Sequence, residues 1–173
     1  GQYSNKIKRI IDYILNSEGI VFVYSNFLYS SLLPLAFALE HFGFKKSDGT
    51  ELLAAPKKMM NNSYMVKTDH GIFSPYYTIF SHESIANLDK EKDIQTLREK
   101  DNAYGEKIKV ILGTTFSSEG LDLKNIREIH ITEPWYNLNK INQVIGRANR
   151  KCSHKDLPIE KRNVTVYKHV GFH

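Results

Sequence analysis

Five consecutive apolar residues, IVFVY at 20–24, stand between Gly19 and a Ser-Asn pair. A strand with one wet face alternates apolar and polar positions. A strand with no polar position needs cover on both faces, which is the condition of an interior strand in a parallel sheet. YYTIF at 76–80 and IKVIL at 108–112 come close to the pattern, each with one polar residue, Thr78 and Lys109. More mixed runs at 128–132 (EIHIT) and 163–169 (NVTVYKH) complete the set.

The segments between these runs read as helices. Residues 5–16 carry Ile7, Ile10, Ile11, Ile14 and Leu15 at helical spacing, and Gly19 stops the pattern. An apolar helix is expected from about 30 to 42, with Pro34 in its first turns and Gly43 closing it. A charged surface helix is expected over 89–100, with Ile94 and Leu97 as its apolar positions. Strands alternating with helices predict one α/β domain. Its single parallel sheet includes residues 20–24, 76–80, 108–112, 128–132 and 163–168, with helices on both faces. Residues 45–75 are less regular and suggest a short strand or hairpin with a mobile insertion. Residues 151–162 are basic and polar, and the expectation there is also a mobile connection.

The length of 173 residues suffices for one domain with a sizeable core. No apolar run approaches the roughly 20 residues of a membrane helix, and no secretory pattern opens the chain. The single Cys152 excludes an internal disulfide and a cysteine-rich zinc site, and fits an intracellular setting. The net charge of +5 is concentrated. Residues 140–168 hold eight Lys and Arg against Asp156 and Glu160, a net +6, so the rest of the chain is about −1. A basic segment of this kind points to a nucleotide or nucleic acid, although a solvated surface has the same composition.

The chemistry concentrates between 107 and 150. The run at 108–112 leads into GTTFSSEGLD, and the run at 128–132 leads into EPWYN and then a helix. Asn137 or Asn139 can cap that helix. Ile141, Ile145 and Ala148 form one face, and Gln143, Arg147 and Arg150 form another. An arginine pair on one face is commonly just a solvated surface. It is also what a phosphate clamp requires, because the guanidinium fork binds phosphate oxygens bidentately.

Thr114, Gly120 and Asp122, followed by QVIGRANR at 143–150, resemble motifs V and VI of superfamily 2 helicases, T-x5-G-x-D and Q/H-x-x-G-R-x-x-R. Both spacings match, and Glu133-Pro134 joins them. Where many members end in Gly-Arg, this chain has Asn149-Arg150, which keeps the arginine. The stretch EPWYNLNKINQVIGRANR further resembles helicases of large nucleocytoplasmic DNA viruses, including the poxvirus early transcription factor type.

The resemblance implies a RecA-like, P-loop NTPase-type α/β fold, the second domain of a helicase, over residues 1–173. It assigns Thr114, Ser25 and Asn26 to nucleic-acid contact, with capping the competing role for the last two. Gly120 and Asp122 fall beside the nucleotide, Asp122 near the ribose. Arg147 and Arg150 act as arginine fingers toward the γ-phosphate, with Gln143 beside them. In open α/β sheets ligands gather at the carboxyl ends of strands, so the loops at Ser25, 114–122 and 134–137 are expected on one rim.

The chain has no Gly-Lys dipeptide, hence no phosphate loop, and no Asp-Glu pair for motif II. ATP and Mg²⁺ are therefore expected to be bound mainly by an upstream RecA-like domain of the same protein. Nucleic acid is the other expected partner, DNA before RNA, with no membrane. The expected setting is intracellular, in host cytoplasm or virion if viral. No HExxH, GxSxG or GxGxxG occurs, so no metal site, serine nucleophile or dinucleotide site is expected. Trp135 and Tyr136 suit base stacking or packing under the following helix. Two function classes remain: the C-terminal motor half of an ATP-dependent helicase or translocase, and an inactive binding or scaffolding module of the same fold. Both arginines at i, i+3 favour the first.

Overall fold

The computed structural model describes residues 4–53, 65–68, 71–82, 89–114, 123–133 and 138–170. The first helix, α1 (Asn5–Asn16), is capped by Ser4, whose Oγ accepts from the Ile7 amide at 3.3 Å. That bond satisfies a donor the helix itself leaves open. Gly19 follows at φ +131°, and a Cβ there would lie 2.6 Å from Arg127 Cγ, so only glycine lets the chain pass. β1 (Ile20–Tyr24) then enters the interior, all five residues buried.

Beyond β1 the chain forms a wide π turn, Leu28–Leu32, before α2 (Leu33–His41). A regular α-helix had been expected from 30. Pro34 explains the difference. Its ring would crowd the preceding turn and it has no amide to donate, whereas here Leu32 and Leu33 donate five residues back, to Phe27 and Leu28.

Six strands form one sheet in the order β2 (Lys45–Lys46), β5 (Tyr76–Phe80), β6 (Ile108–Gly113), β1, β7 (Ile126–Ile131), β8 (Thr165–Lys168). Every neighbouring pair is parallel. The five expected strands are all present. β7 begins two residues earlier than expected, because Ile126 pairs with Ile20. β3 (Val66–Thr68) and β4 (Gly71–Phe73) make a separate antiparallel ribbon, so the 45–75 region contains both a short strand and a hairpin. Residues 54–64, where the insertion was expected, lie outside the described residues.

Alternate strand residues divide the core. Val21, Val23, Tyr77, Ile79, Val110 and Leu112 pack under α1 and α2. Ile20, Phe22, Tyr24, Ile108, Ile111, Ile129 and Ile131 face the other way, against Leu97 of α3 (Lys90–Arg98) and Ile141, Val144 and Ala148 of α4 (Leu138–Ala148). Truncating any one of these buried Leu or Ile side chains to Ala costs about 2–5 kcal/mol.

The connection at 151–162 is tied down where a mobile one was expected. Ser153 and His154 are buried, and His154 Nε2 donates to the Ile126 carbonyl at 2.6 Å. Leu157 is buried, and Arg162 Nε donates to its carbonyl at 2.7 Å. Ser153, His154 and Leu157 turn inward, while Lys151, Lys155 and Arg162 are exposed.

Candidate functional site

The strand ends are stitched into one rim. The Ser25 amide donates to Gly113 O at 3.1 Å, Thr114 to Phe80 O at 3.1 Å, Thr132 to Tyr24 O at 3.0 Å and His169 to Ile131 O at 2.9 Å. Each bond extends the ladder one residue past a strand, so the carboxyl ends of β5, β6, β1, β7 and β8 finish level. Ser25, Asn26 and Thr114 therefore come together, as the strand-end argument requires.

Ser25 is wholly buried. Its Oγ accepts from the Phe27 amide at 3.0 Å and donates to Glu133 Oε2 at 2.6 Å. The hydroxyl has one proton, and the carboxylate holds it in a charge-assisted bond. The side chain thus locks the turn after β1; it does not cap a helix, the role that competed with strand contact, because Phe27 stands at the head of the π turn with no side-chain cap. Asn26 is half-buried, and its Oδ1 accepts from the Tyr24 hydroxyl at 2.9 Å. Burial, and next the Glu133 charge, push that phenol above its ordinary pKa. Thr114 is mostly enclosed at the start of its loop. Gly120 and Asp122 lie outside the described residues, as do Trp135, Tyr136 and the cap candidate Asn137. Asn139 is the second residue of α4, which removes it from the cap position.

Glu133 is the residue that sequence reasoning left without a role. Besides Ser25 it accepts from Thr132 Oγ1 at 2.7 Å, and Lys6 Nζ of α1 lies 4.0 Å away. Ser31 Oγ donates to Thr132 Oγ1 at 3.0 Å. One carboxylate therefore joins α1, the turn after β1 and the end of β7. The available signal was an acidic residue directly after a buried strand, where it must find donors.

The α4 face is a second location. Ile141, Val144 and Ala148 are buried. Val144 lies deeper than Ile145, which is half-buried, so the apolar stripe is turned slightly from the expected one. Gln143 and Arg150 are exposed and Arg147 is half-buried on the outer side. The helix leaves the rim after Glu133 and runs back along the sheet. At its far end Ser153 Oγ donates to Ala148 O at 3.3 Å, and Ser153 O accepts from the Asn125 amide just before β7. At 1.5 Å per residue, Arg147 is about 13 Å along the axis from Leu138. The rim residues form one surface, and Gln143, Arg147 and Arg150 form another. The arginines sit at the helix's carboxyl end, where its dipole favours cations.

Among the described residues no group of three His, Cys, Asp or Glu is placed to hold a metal ion, and no helix is long and apolar enough to cross a membrane.

Comparison with known proteins fits this architecture. The model of the helicase conserved C-terminal domain matches residues 45–152. A protein of Acanthamoeba polyphaga mimivirus, provisionally named an ATP-dependent RNA helicase, is 35% identical over 173 residues, covering 99% of this chain and 26% of its own length. The termination factor NPH-I homolog of African swine fever virus is 32% identical, covering 97% of this chain and 26% of that protein. Nucleoside triphosphatase I of Melanoplus sanguinipes entomopoxvirus is 37% identical over 70% of this chain and 18% of its own. The chain thus spans about a quarter or less of these relatives. The crystal structure of the C-terminal part of the Fun30 ATPase domain superposes with a TM-score of 0.58 at 17% identity, over 98% of this chain and 42% of that one. The fold is that of the helicase C-terminal RecA-like domain, and the chain belongs to the helicase conserved C-terminal domain family.

Proposed function

We propose that this chain is the C-terminal motor domain of an ATP-dependent superfamily 2 helicase or translocase. In this reading α4 presents Arg147 and Arg150 to the γ-phosphate of an ATP bound by a preceding RecA-like domain, with Gln143 alongside. The observation that carries it is the build of α4: a buried stripe of Ile141, Val144 and Ala148 fixes the helix, with Arg147 half-buried on its outer side and Arg150 exposed just past its end. Phosphoryl transfer is accelerated by positioned cations that neutralise the transferring group, and one arginine finger contributes about 10³ to 10⁵ in rate. Arg147 has no ion-pair partner among the described residues, so its charge is available to an incoming phosphate.

The Mg²⁺ ligands in this reading belong to the preceding domain, as do the groups that cradle the β- and γ-phosphates. Mg²⁺ supplies charge neutralisation between those phosphates when bound. Gly120 and Asp122 complete the nucleotide side. The rim takes the nucleic acid. Thr114 and the turn at Asn26 meet the backbone, while Ser25 supports that turn from beneath. Separate surfaces for nucleotide and strand suit a motor, because closure of two domains on ATP then moves the rim relative to the strand. The relatives' names support work on nucleic acid in viral transcription or replication.

The test compares this chain with the full-length protein in a steady-state ATPase assay with and without nucleic acid. The expected result is turnover by the longer protein, stimulated by nucleic acid, and none by this chain. Robust turnover by the 173-residue chain, with contaminating ATPases excluded, overturns the two-domain account.

A further inference from the structure

Two aromatic side chains on the rim keep half or more of their surface exposed. Phe27 is 50% exposed and Tyr29 is 58% exposed, in a protein that buries Phe22, Tyr24, Phe44, Tyr77 and Phe80 almost completely. They flank the start of the π turn that Pro34 imposes. Such turns recur at functional sites because they re-aim side chains that a regular helix would direct elsewhere.

Their backbone is held firmly. Ser25 Oγ accepts from the Phe27 amide, and Phe27 O accepts from the Leu32 amide at 3.3 Å. Ser31 bonds Thr132 at the end of β7. The rings thus stand on a rigid turn, where an exposed aromatic loses little entropy on meeting a flat partner.

The charge nearby selects that partner. Lys6 reaches Glu133, so the first turns of α1 lie at this rim. Those turns contain Lys6, Lys8 and Arg9 and no acidic residue. Cations there oppose the helix dipole and cost stability. A chain that breaks this local rule without a gain in its own packing is keeping the charge for an outside anion. Glu133, its carboxylate already bonded to Ser25 and Thr132, is the opposing charge recorded against Lys6. Flat exposed rings beside a cationic turn form the arrangement that binds bases by stacking and backbone by charge.

We propose that Phe27 and Tyr29 are a base-stacking surface for single-stranded nucleic acid on the rim, with Lys6 and Arg9 holding the adjoining phosphates. The proposal rests on the rim being the nucleic-acid face. It adds a contact that is to the bases rather than the backbone, and therefore a grip on single strands over duplex. Stacking needs no hydrogen-bonding pattern, so the surface takes any base.

The experiment uses the full-length protein and short single strands containing 2-aminopurine, as DNA and as RNA, with matched strands that are abasic at every position. Phe27→Ala, Tyr29→Ala, the double variant and Phe27→Trp are compared with wild type by fluorescence titration, beside thermal melts. Each Ala change should weaken binding of intact strands about tenfold, and the 2-aminopurine quench should disappear in the double variant. Phe27→Trp should keep both affinity and quench. The dependence on salt should keep its slope, because the phosphate contacts remain. Abasic strands should bind wild type and double variant equally. A double variant that binds intact strands like wild type, while wild-type binding is strongly salt-dependent, leaves the rim reading standing, assigns the rings to a protein surface and overturns the proposal. Equal losses on intact and abasic strands overturn it as well. A wild-type protein that binds no strand even at low salt removes the rim reading, and this proposal with it.

Discussion

Ser25 and Glu133 are 108 positions apart in the chain and joined by a hydrogen bond of 2.6 Å. The bond ties the turn after the central strand to the end of its neighbour β7. It sits between the turn that carries Ser25 and Asn26 and the start of the segment that resembles motif VI. Any shift of one is felt by the other through a single carboxylate.

Ser25→Ala should therefore cost about 1.5–3 kcal/mol, the range for hydrogen bonds to charged groups. Glu133→Gln should cost less, because an amide oxygen still accepts from Ser25. The pair should be coupled, so that the double variant Ser25→Ala, Glu133→Gln is less destabilised than the sum of the single ones. Thermal and urea melts of the four proteins give the cycle. Strict additivity would show that the bond contributes nothing of its own.

Buried histidines set an acid limit. His130 Nδ1 lies 2.8 Å from His169 Nε2, and His130 Nε2 is 3.1 Å from Glu128 Oε2. Burial, then His130, Lys6 and Arg9, push the His169 pKa from 6.5 down to about 4. The folded state thus refuses a proton that the unfolded chain accepts. Stability from this group is complete above pH 6.5 and is lost as pH falls from 6.5 toward 4. The ring is buried, so the loss is on the order of a few kcal/mol. Melts between pH 4.5 and 7 should fall more steeply for wild type than for His169→Asn. Parallel curves would remove His169 from the pH response.

Much of the fold was legible because it rests on local apolar density. The runs at 20–24 and 76–80 are read to the residue, since an interior parallel strand is almost wholly apolar. The place of β2 was not legible: it is a Lys-Lys pair, with Lys46 buried because Asp48 and Thr50 meet its ammonium at 2.9 and 3.0 Å. The start of β7 was hidden by Arg127 and Glu128, which interrupt the apolar run although Ile126 is fully buried. The site divides in the same way. Gln143, Arg147 and Arg150 could be placed on one face by helical spacing alone. The inward turn of Ser25 and the part played by Glu133 could not, because both depend on contacts between distant strands.

Thr114 tests the rim. Its position at the end of β6, beside Ser25, supports contact with a backbone phosphate, and that contact should be salt-sensitive. Thr114→Ala should weaken single-strand binding several-fold at low salt without unfolding the protein. Its amide bond to Phe80 O is made by the backbone and survives the change. Equal titration curves for wild type and variant would take Thr114 out of the contact set.

The arginines give the sharpest separation of stability from function. Neither belongs to the buried stripe of α4, where Ile141, Val144 and Ala148 make the core contacts. Replacing Arg147 or Arg150 by Ala should thus leave the melting temperature of the full-length protein within a few degrees, since surface changes cost less than about 0.5 kcal/mol. Arg147, half-buried, also loses the packing of its aliphatic stem, so it should show the larger of the two shifts. ATP turnover with saturating nucleic acid should nevertheless fall by a factor of about 10³ or more for a true finger. Lys should rescue poorly, because an ammonium is a point charge and cannot copy a planar fork. Strand binding without ATP should be unchanged, because α4 carries both arginines away from the rim. Near-normal turnover in both Ala variants would make this face an ordinary solvated surface, and unfolding of both would make the arginines structural. A loss of strand affinity equal to the loss of turnover would mean that the two surfaces are one.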